Sequence, residues 1–292
     1  MFPILLYNIV MPEIIFKIDD KNSGLMIRDF LRNFGVSSAL LTKLKQDENG
    51  IKLNGKFAKA IEVLKSGDNL TINIKNSGKM PEKFECENVK VAYNDEDILV
   101  LNKPPLMPVH ESRNHRGDTL ANVAACYMES DCAFRAVYRL DRDTSGLVLI
   151  AKNELAASKL AGKIKKDYYA VVSGKFEGRG TIDLPIRRVQ ESIIERGVFD
   201  DGERAITHYE AIKTDGENTL LKLSLETGRT HQIRVHFSHL GAPLLGDTLY
   251  GGNCEKINRQ ALHCKTIYFT HPITHEKITV DSDFPKDFKG LI

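Results

Sequence analysis

Two hydrophobic periods alternate along the chain. Ile14-Ile15-Phe16-Lys17-Ile18 reads as a strand, while Leu25, Met26, Phe30 and Phe34 recur at helical spacing up to Gly35. Ser23 is the expected N-cap of that helix and Gly35 its stop. Ser37 or Ser38 caps a second short helix through Leu44. Ile51-Lys52-Leu53 and the run from Leu70 to Ile74 alternate with period two, and Asn54-Gly55 supplies a hairpin-type turn. Asn76 to Pro81 is polar and contains glycine and proline, so it reads as a linker between residues 12–80 and 81–292.

Beyond the linker, Val89 to Tyr93 is strand-like, Asn94-Asp95 a turn, and Ile98 to Leu101 an apolar strand. Leu147 to Ala151 repeats that apolar pattern, and Asn153 caps a helix expected from Glu154 to about Lys166. A strand follows from Lys166 to Val172. Another, Leu221 to Leu225, feeds a helix whose apolar face is Ile233, Phe237 and Leu240, stopped by Gly241. Interleaved strands and helices restrict the class to α/β or α+β.

Composition narrows the picture further. With 292 residues, 42% hydrophobic and 27% charged, the chain suits a soluble globular protein of one large domain or a small one plus a larger one. A net charge of +2 does not announce nucleic-acid binding, but its distribution is uneven. Residues 12–80 carry twelve Lys/Arg against eight Asp/Glu, a net of +4, which leaves −2 for the remainder. The apolar run from Phe2 to Val10 is too short to span a bilayer and lacks the basic flank and cleavage site of a signal peptide. Met11 is the expected natural start, and the alternative is an extra edge strand ahead of it. Five scattered cysteines without a CxxC pair point to a reducing, cytoplasmic setting. Cys254, His263, Cys264, His271 and His275 lie close enough to raise zinc, but their spacing matches no structural-zinc pattern, and no metal is expected.

The most informative segment is Tyr138-Arg139-Leu140-Asp141-Arg142-Asp143-Thr144-Ser145-Gly146, a charged loop running directly into an apolar strand. Such a loop holds carboxylates at a sheet edge, where binding sites lie. Alone, it also fits a surface turn of Arg–Asp pairs. Asp141-x-Asp143 has the spacing of the aspartyl-phosphate enzymes, but those need an apolar strand entering the first aspartate, and Tyr138-Arg139 intervene. No GxxxxGK[ST] loop is present. Tyr168 stands at a strand mouth and Arg229 at a strand-to-helix corner. Singly, these would be a core aromatic and a solvated charge.

Four motifs in register give them meaning: Asn102-Lys103-Pro104, the Arg139–Gly146 loop, Lys166-Asp167-Tyr168-Tyr169-Ala170-Val171-Val172, and Thr227 to His236. The last continues through Pro243-Leu244-Leu245-Gly246-Asp247 to Tyr250-Gly251. From about Val89 to Phe284 the chain resembles the RluA/RluC/RluD type of pseudouridine synthase. Residues 12–80 are similar to the S4-like RNA-binding module that precedes it. Two departures stand out. Tyr138 replaces a histidine, and Pro105-Leu106-Met107 replaces a glycine-containing turn.

The resemblance implies an α+β catalytic domain with a mixed, largely antiparallel central sheet. It implies an isomerase acting on RNA, without cofactor, metal or membrane, and a monomer. Ribosomal RNA of the large subunit is the favoured substrate, with transfer RNA open. Asp141 is then the essential carboxylate, attacking C1′ or C6 or assisting loss of the 2′ hydrogen. A carboxylate that must stay ionised away from water needs a cation beside it, and by family analogy this is Arg229. Tyr168 lies against the uracil, its hydroxyl a candidate base. Arg139 fills the space vacated by the flipped uridine. Arg28, Arg32, Lys43 and Lys45, with Lys163, Lys165 and Lys166, are candidates for the RNA backbone. The alternative from another class is a non-catalytic RNA-binding or ribosome-assembly factor on the same fold, which has no need of Asp141, Tyr168 and Arg229 together.

Overall fold

The computed structural model describes all residues except 1–4, 9–12, 75–79, 129–131, 191, 193 and 292, and residues 5–8 by their backbone. Met11 and most of the expected linker lie outside the described residues.

The N-terminal module orders as β1 (Leu5–Asn8), β2 (Glu13–Lys17), α1 (Ile27–Phe34), α2 (Ser38–Gln46), β3 (Ile51–Leu53), β4 (Lys56–Phe57) and β5 (Asn69–Asn73), with sheet order β1-β2-β5-β3-β4. Asn54 and Gly55 turn the β3–β4 hairpin with φ 52° and 79°, as the sequence predicts. Phe16 anchors the core, edge-on to Phe30 at 5.3 Å and to Phe34 at 4.6 Å between ring centroids.

Ser23 does not cap α1. The chain stays extended through Met26 because Leu25 pairs with Leu64, accepting its N–H at 2.9 Å, and Met26 bridges to Val63. The first helical amides, of Ile27 and Arg28, instead donate to the carbonyls of Glu62 and Ala60, both at 2.9 Å. Gly35 ends α1 in the left-handed conformation, and Ser37 caps α2 by accepting from the Leu40 amide at 3.2 Å.

In the larger unit, β6 (Lys90–Asn94) and β7 (Ile98–Lys103) are followed by α3 (Leu120–Ala124), β8 (Ser145–Ala151), α4 (Glu154–Leu160), β9 (Lys165–Ser173) and β10 (Arg179–Asp183). The hairpin β11 (Ile186–Arg188) with β12 (Arg196–Val198) comes next, then β13 (Ile206–Thr214), β14 (Asn218–Leu225), α5 (Gln232–His239), β15 (Leu262–Thr270) and β16 (Lys277–Asp281). Among the described residues the main sheet has nine strands in the order β10-β13-β14-β9-β15-β8-β7-β6, with β16 on β15. Only the β15–β8 pairing is parallel, so the sheet is mixed and largely antiparallel and the class is α+β. All seven residues of β8 are buried, which is why its sequence reads as a continuous apolar run.

The α4 helix ends at Leu160 rather than near Lys166. Gly162 takes φ 69°, and Lys165 and Lys166 are drawn into β9 by pairing with Tyr268 and Ile267. Leu240 also departs from expectation: α5 buries Ile233 and Phe237, but Leu240 lies past its end, 48% exposed.

The two units pack together through α4. Leu155 and Ile273 belong to the N-terminal core. Lys159 Nζ sits 3.4 Å from the centroid of the Phe34 ring and donates to Pro272 O at 2.8 Å. Among the described residues no helix is long and apolar enough to cross a membrane.

Candidate active site

A cleft of about 1000 Å³ opens where β9, β14 and α5 meet the loop ahead of β8, with Asp141, Tyr168, Arg139 and Arg229 all on its wall. Other elements hold that loop residue by residue. Arg234 donates to Asp141 Oδ2 at 3.2 Å, and Lys103 to Arg142 O at 2.9 Å. Arg259 donates to Asp143 O at 3.2 Å, Gln260 to Thr144 Oγ1 at 3.2 Å, and Ser145 Oγ lies 2.9 Å from His263 Nδ1. Rigid placement of the carboxylate follows from these contacts.

Each support is itself fixed. Lys103 is fully buried and gives its remaining N–H bonds to Pro104 O and Met107 O at 2.9 and 2.8 Å. Burial pushes its pKa down to about 7, while three carbonyl acceptors match the three N–H bonds of an ammonium. Arg259 closes a two-bond clamp on Asp287 at 2.7 and 2.9 Å. Gly146, the second residue of β8, takes φ 121°, and a Cβ there would stand 2.2 Å from Cys264 O on the parallel strand β15. Only glycine fits at that position.

The cation beside Asp141 is Arg234, not Arg229. Arg234 projects from α5 with its side chain 8% exposed, and Asp247 grips its guanidinium at 2.6 and 2.7 Å, leaving Nη1 for Asp141. Arg229 precedes the helix at an exposed corner, where it pairs with Glu203 and donates to Arg204 O at 3.2 Å. One sequence signal separates the two arginines. Arg234 lies among Ile233, Val235 and Phe237 on a buried helix, where a charge requires carboxylate partners, and Asp247 follows in the Pro243–Asp247 motif.

Tyr168 is buried at 6% exposure, and burial, then the neighbouring Cys264 and Asp141, raises its phenol pKa well above the usual value. The hydroxyl therefore stays protonated, which weighs against its acting as a base unaided. Tyr138 donates to Leu147 O at 2.8 Å and carries the Lys166 ammonium 4.4 Å above its ring centroid. Leu106, in the other departure, takes φ 65°, a conformation glycine adopts without strain.

Arg139 is exposed on the cleft wall, and Lys163, Lys165 and Lys166 line the same cleft. Arg28, Arg32, Lys43 and Lys45 are exposed on the N-terminal module, with Lys43 bonded to Glu154 at 2.5 Å and Arg28 near Asp29 at 3.6 Å.

The suspected zinc ligands do not converge. His263 is committed to Ser145 and Ser282, Cys264 is buried beside Tyr168, and all five cysteines are free thiols. Among the described residues, the side chains of Asp95, Asp97 and His271 do come together. There His271 Nδ1 accepts the amides of Ile273 and Thr274, so Nε2 carries the proton and donates to Asp95 at 3.0 Å. Asp95 also takes the Asp97 and Ile98 amides at 2.8 Å and the Tyr93 hydroxyl at 2.7 Å, which makes the cluster a hydrogen-bonded turn lock.

Comparison with known proteins identifies the family. Residues 97–239 match the RNA pseudouridylate synthase family. An uncharacterised RNA pseudouridine synthase of Bacillus subtilis, YjbO, is 39% identical over 282 residues, covering 91% of this chain and 98% of that one. Ribosomal large subunit pseudouridine synthase D of Pseudomonas aeruginosa is 34% identical over 265 residues, 83% of this chain and 82% of its own. The solved human RNA pseudouridylate synthase domain containing 1 is similar with a TM-score of 0.57 and 26% identity, over 70% of this chain and 86% of that one. The chain belongs to the RNA pseudouridine synthase family. It is an isomerase of uridine in RNA.

Proposed function

We propose that the chain converts uridine to pseudouridine in large-subunit ribosomal RNA, with Asp141 as the essential carboxylate and Arg234 as its partner. The observation that carries this reading is the chain of contacts from Asp247 through Arg234 to Asp141 on the cleft wall. Isomerisation breaks the C1′–N1 bond and makes a C1′–C5 bond, with the uracil turned between the steps. The C5 hydrogen leaves as a proton and N1 gains one, with no net oxidation or reduction and no phosphoryl transfer, so a carboxylate in a preorganised pocket supplies the needed nucleophile or base. Tyr168 forms the wall against which the uracil turns. Arg139 occupies the gap left in the RNA when the uridine flips out. Lys163, Lys165 and Lys166, which line the same cleft, are assigned to the phosphates flanking the uridine.

Residues 12–80 are read as an S4-like module adding phosphate contacts through Arg28, Arg32, Lys43 and Lys45. The proposed substrate follows the relatives named for the ribosomal large subunit, which align over most of this chain. The test is to map pseudouridines in ribosomal and transfer RNA from cells with and without the protein. One or more large-subunit positions should lose the modification. If the missing pseudouridines lie only in transfer RNA, the proposed substrate is wrong. Deleting the module would uncover Leu155 and Ile273, so its role is better tested by combining Arg28→Ala, Arg32→Ala and Lys45→Ala, which should weaken RNA affinity and flatten its salt dependence.

A further inference from the structure

Asp141 has a second neighbour besides Arg234. His231 Nε2 lies 3.8 Å from Asp141 Oδ2, with only 11% of the His231 side chain exposed. The residue stands at the N-terminal boundary of α5 with φ 58°, a left-handed conformation unfavourable for a residue with a Cβ. That turn sets the ring between Asp141 and Tyr250, whose Oη is 2.8 Å from Nδ1.

The proton positions follow from counting donors. Tyr250 Oη already accepts the backbone amide of Arg196 at 3.0 Å. Its single proton is then available to His231 Nδ1, and a neutral imidazole accepting at Nδ1 carries its own proton at Nε2. The opposite tautomer would turn an Nε2 lone pair toward the Asp141 carboxylate, which the negative charge disfavours. Burial lowers the pKa of His231, and Arg234 and Arg196 reinforce this against the opposing pull of Asp141 and Asp247. The ring is therefore neutral near pH 7, with its proton on the nitrogen nearer the carboxylate.

We propose that His231, its tautomer fixed by Tyr250, is a positioning residue that orients Asp141 for the chemical step. Arg234 supplies the charge and His231 supplies direction. Both address Oδ2, which assigns the reacting role to Oδ1. The 3.8 Å separation is outside hydrogen-bond reach, and it closes when RNA fills the cleft, as catalytic bonds commonly do. Because Arg196 lies on β12, the same contacts couple the β11–β12 hairpin to the carboxylate. The inference rests on Asp141 being the essential carboxylate.

The experiment compares single-turnover rates and RNA affinities of Tyr250→Phe, His231→Gln, the double variant and His231→Asn. Glutamine places an amide N–H near the Nε2 position without needing Tyr250, whereas asparagine is too short to reach Asp141. Tyr250→Phe should slow the chemical step about tenfold or more, with RNA affinity unchanged. In the His231→Gln background the same substitution should change the rate less than about twofold. His231→Asn tolerates the left-handed backbone better, so it should unfold at a temperature no lower than wild type yet react more slowly than His231→Gln. The proposal is overturned if Tyr250→Phe slows the reaction equally in both backgrounds, leaves the rate unchanged or alters only RNA affinity. It is equally overturned if asparagine matches or exceeds glutamine in rate. Failure of the underlying reading looks different, because Asp141→Asn would then be as active as wild type.

Discussion

Arg234 donates to Asp141 across 93 residues of sequence, while its other guanidinium edge is clamped by Asp247. An arginine held on one side by a buried carboxylate cannot follow solvent away from the other. This contact gives the first prediction. Arg234→Ala removes the cation that holds Asp141 ionised and oriented, so the single-turnover rate should fall roughly 10²- to 10⁴-fold, and the unpaired Asp247 should also lower stability. Arg229→Ala breaks an exposed pair with Glu203, worth at most ~1 kcal/mol, so its rate should fall less than about tenfold. The reverse ranking would return the role to Arg229.

Arg139 is assigned to flipping the uridine, so its importance should track how well stacked the target is. Arg139→Ala should lose most activity on a structured stem-loop and much less on an unstructured oligonucleotide, where unstacking is largely complete. Arg234→Ala should fail on both. Equal ratios for the two variants would refute this division of labour.

His263 ties acid stability to the catalytic loop. Burial, then Arg259 and Lys265, pushes its pKa down to about 4, so between pH 4 and its ordinary 6.5 the unfolded chain binds the extra proton. The contribution of His263 should therefore be lost as the pH drops through that window, about 3 kcal/mol in all, and stay constant above it. Denaturant unfolding of wild type and His263→Gln from pH 7 to 4 should show a shallower decline in the variant. Parallel curves would mean that His263 is not the titrating group.

Much of the fold and site is legible in the chain because the signals are local. Asn54-Gly55, Ser37 and Gly35 act within a few residues of themselves, and the buried β8 announces itself by an unbroken apolar run. The errors fall where tertiary pairing overrides local preference. Leu25 is held extended by Leu64, and Lys165 and Lys166 are taken into β9 by β15. The cation in contact with Asp141 is likewise set by long-range packing. Arg229 and Arg234 are five residues apart, and the apolar neighbours of Arg234 are the one local sign that its guanidinium is buried against carboxylates while that of Arg229 is exposed. His231 was visible as a letter in a motif, but its tautomer depends on Tyr250 and on an amide of β12.

Gly146→Ala tests the close approach of β8 to β15. The added Cβ meets backbone atoms of Cys264 that cannot move independently, at a φ unfavourable for alanine. The loss should exceed ~3 kcal/mol and appear as a large drop in melting temperature or as insoluble protein. A variant melting within a few degrees of wild type would show that the strands can part locally.

Asp141 is proposed to perform the isomerisation, and release of label from RNA tritiated at uracil C5 reports that step. With enzyme in excess, wild type should release label to water in proportion to the uridine converted. Asp141→Asn should release none above the no-enzyme control while binding the same RNA with similar affinity. Label release by Asp141→Asn well above that control would show that another group carries out the reaction.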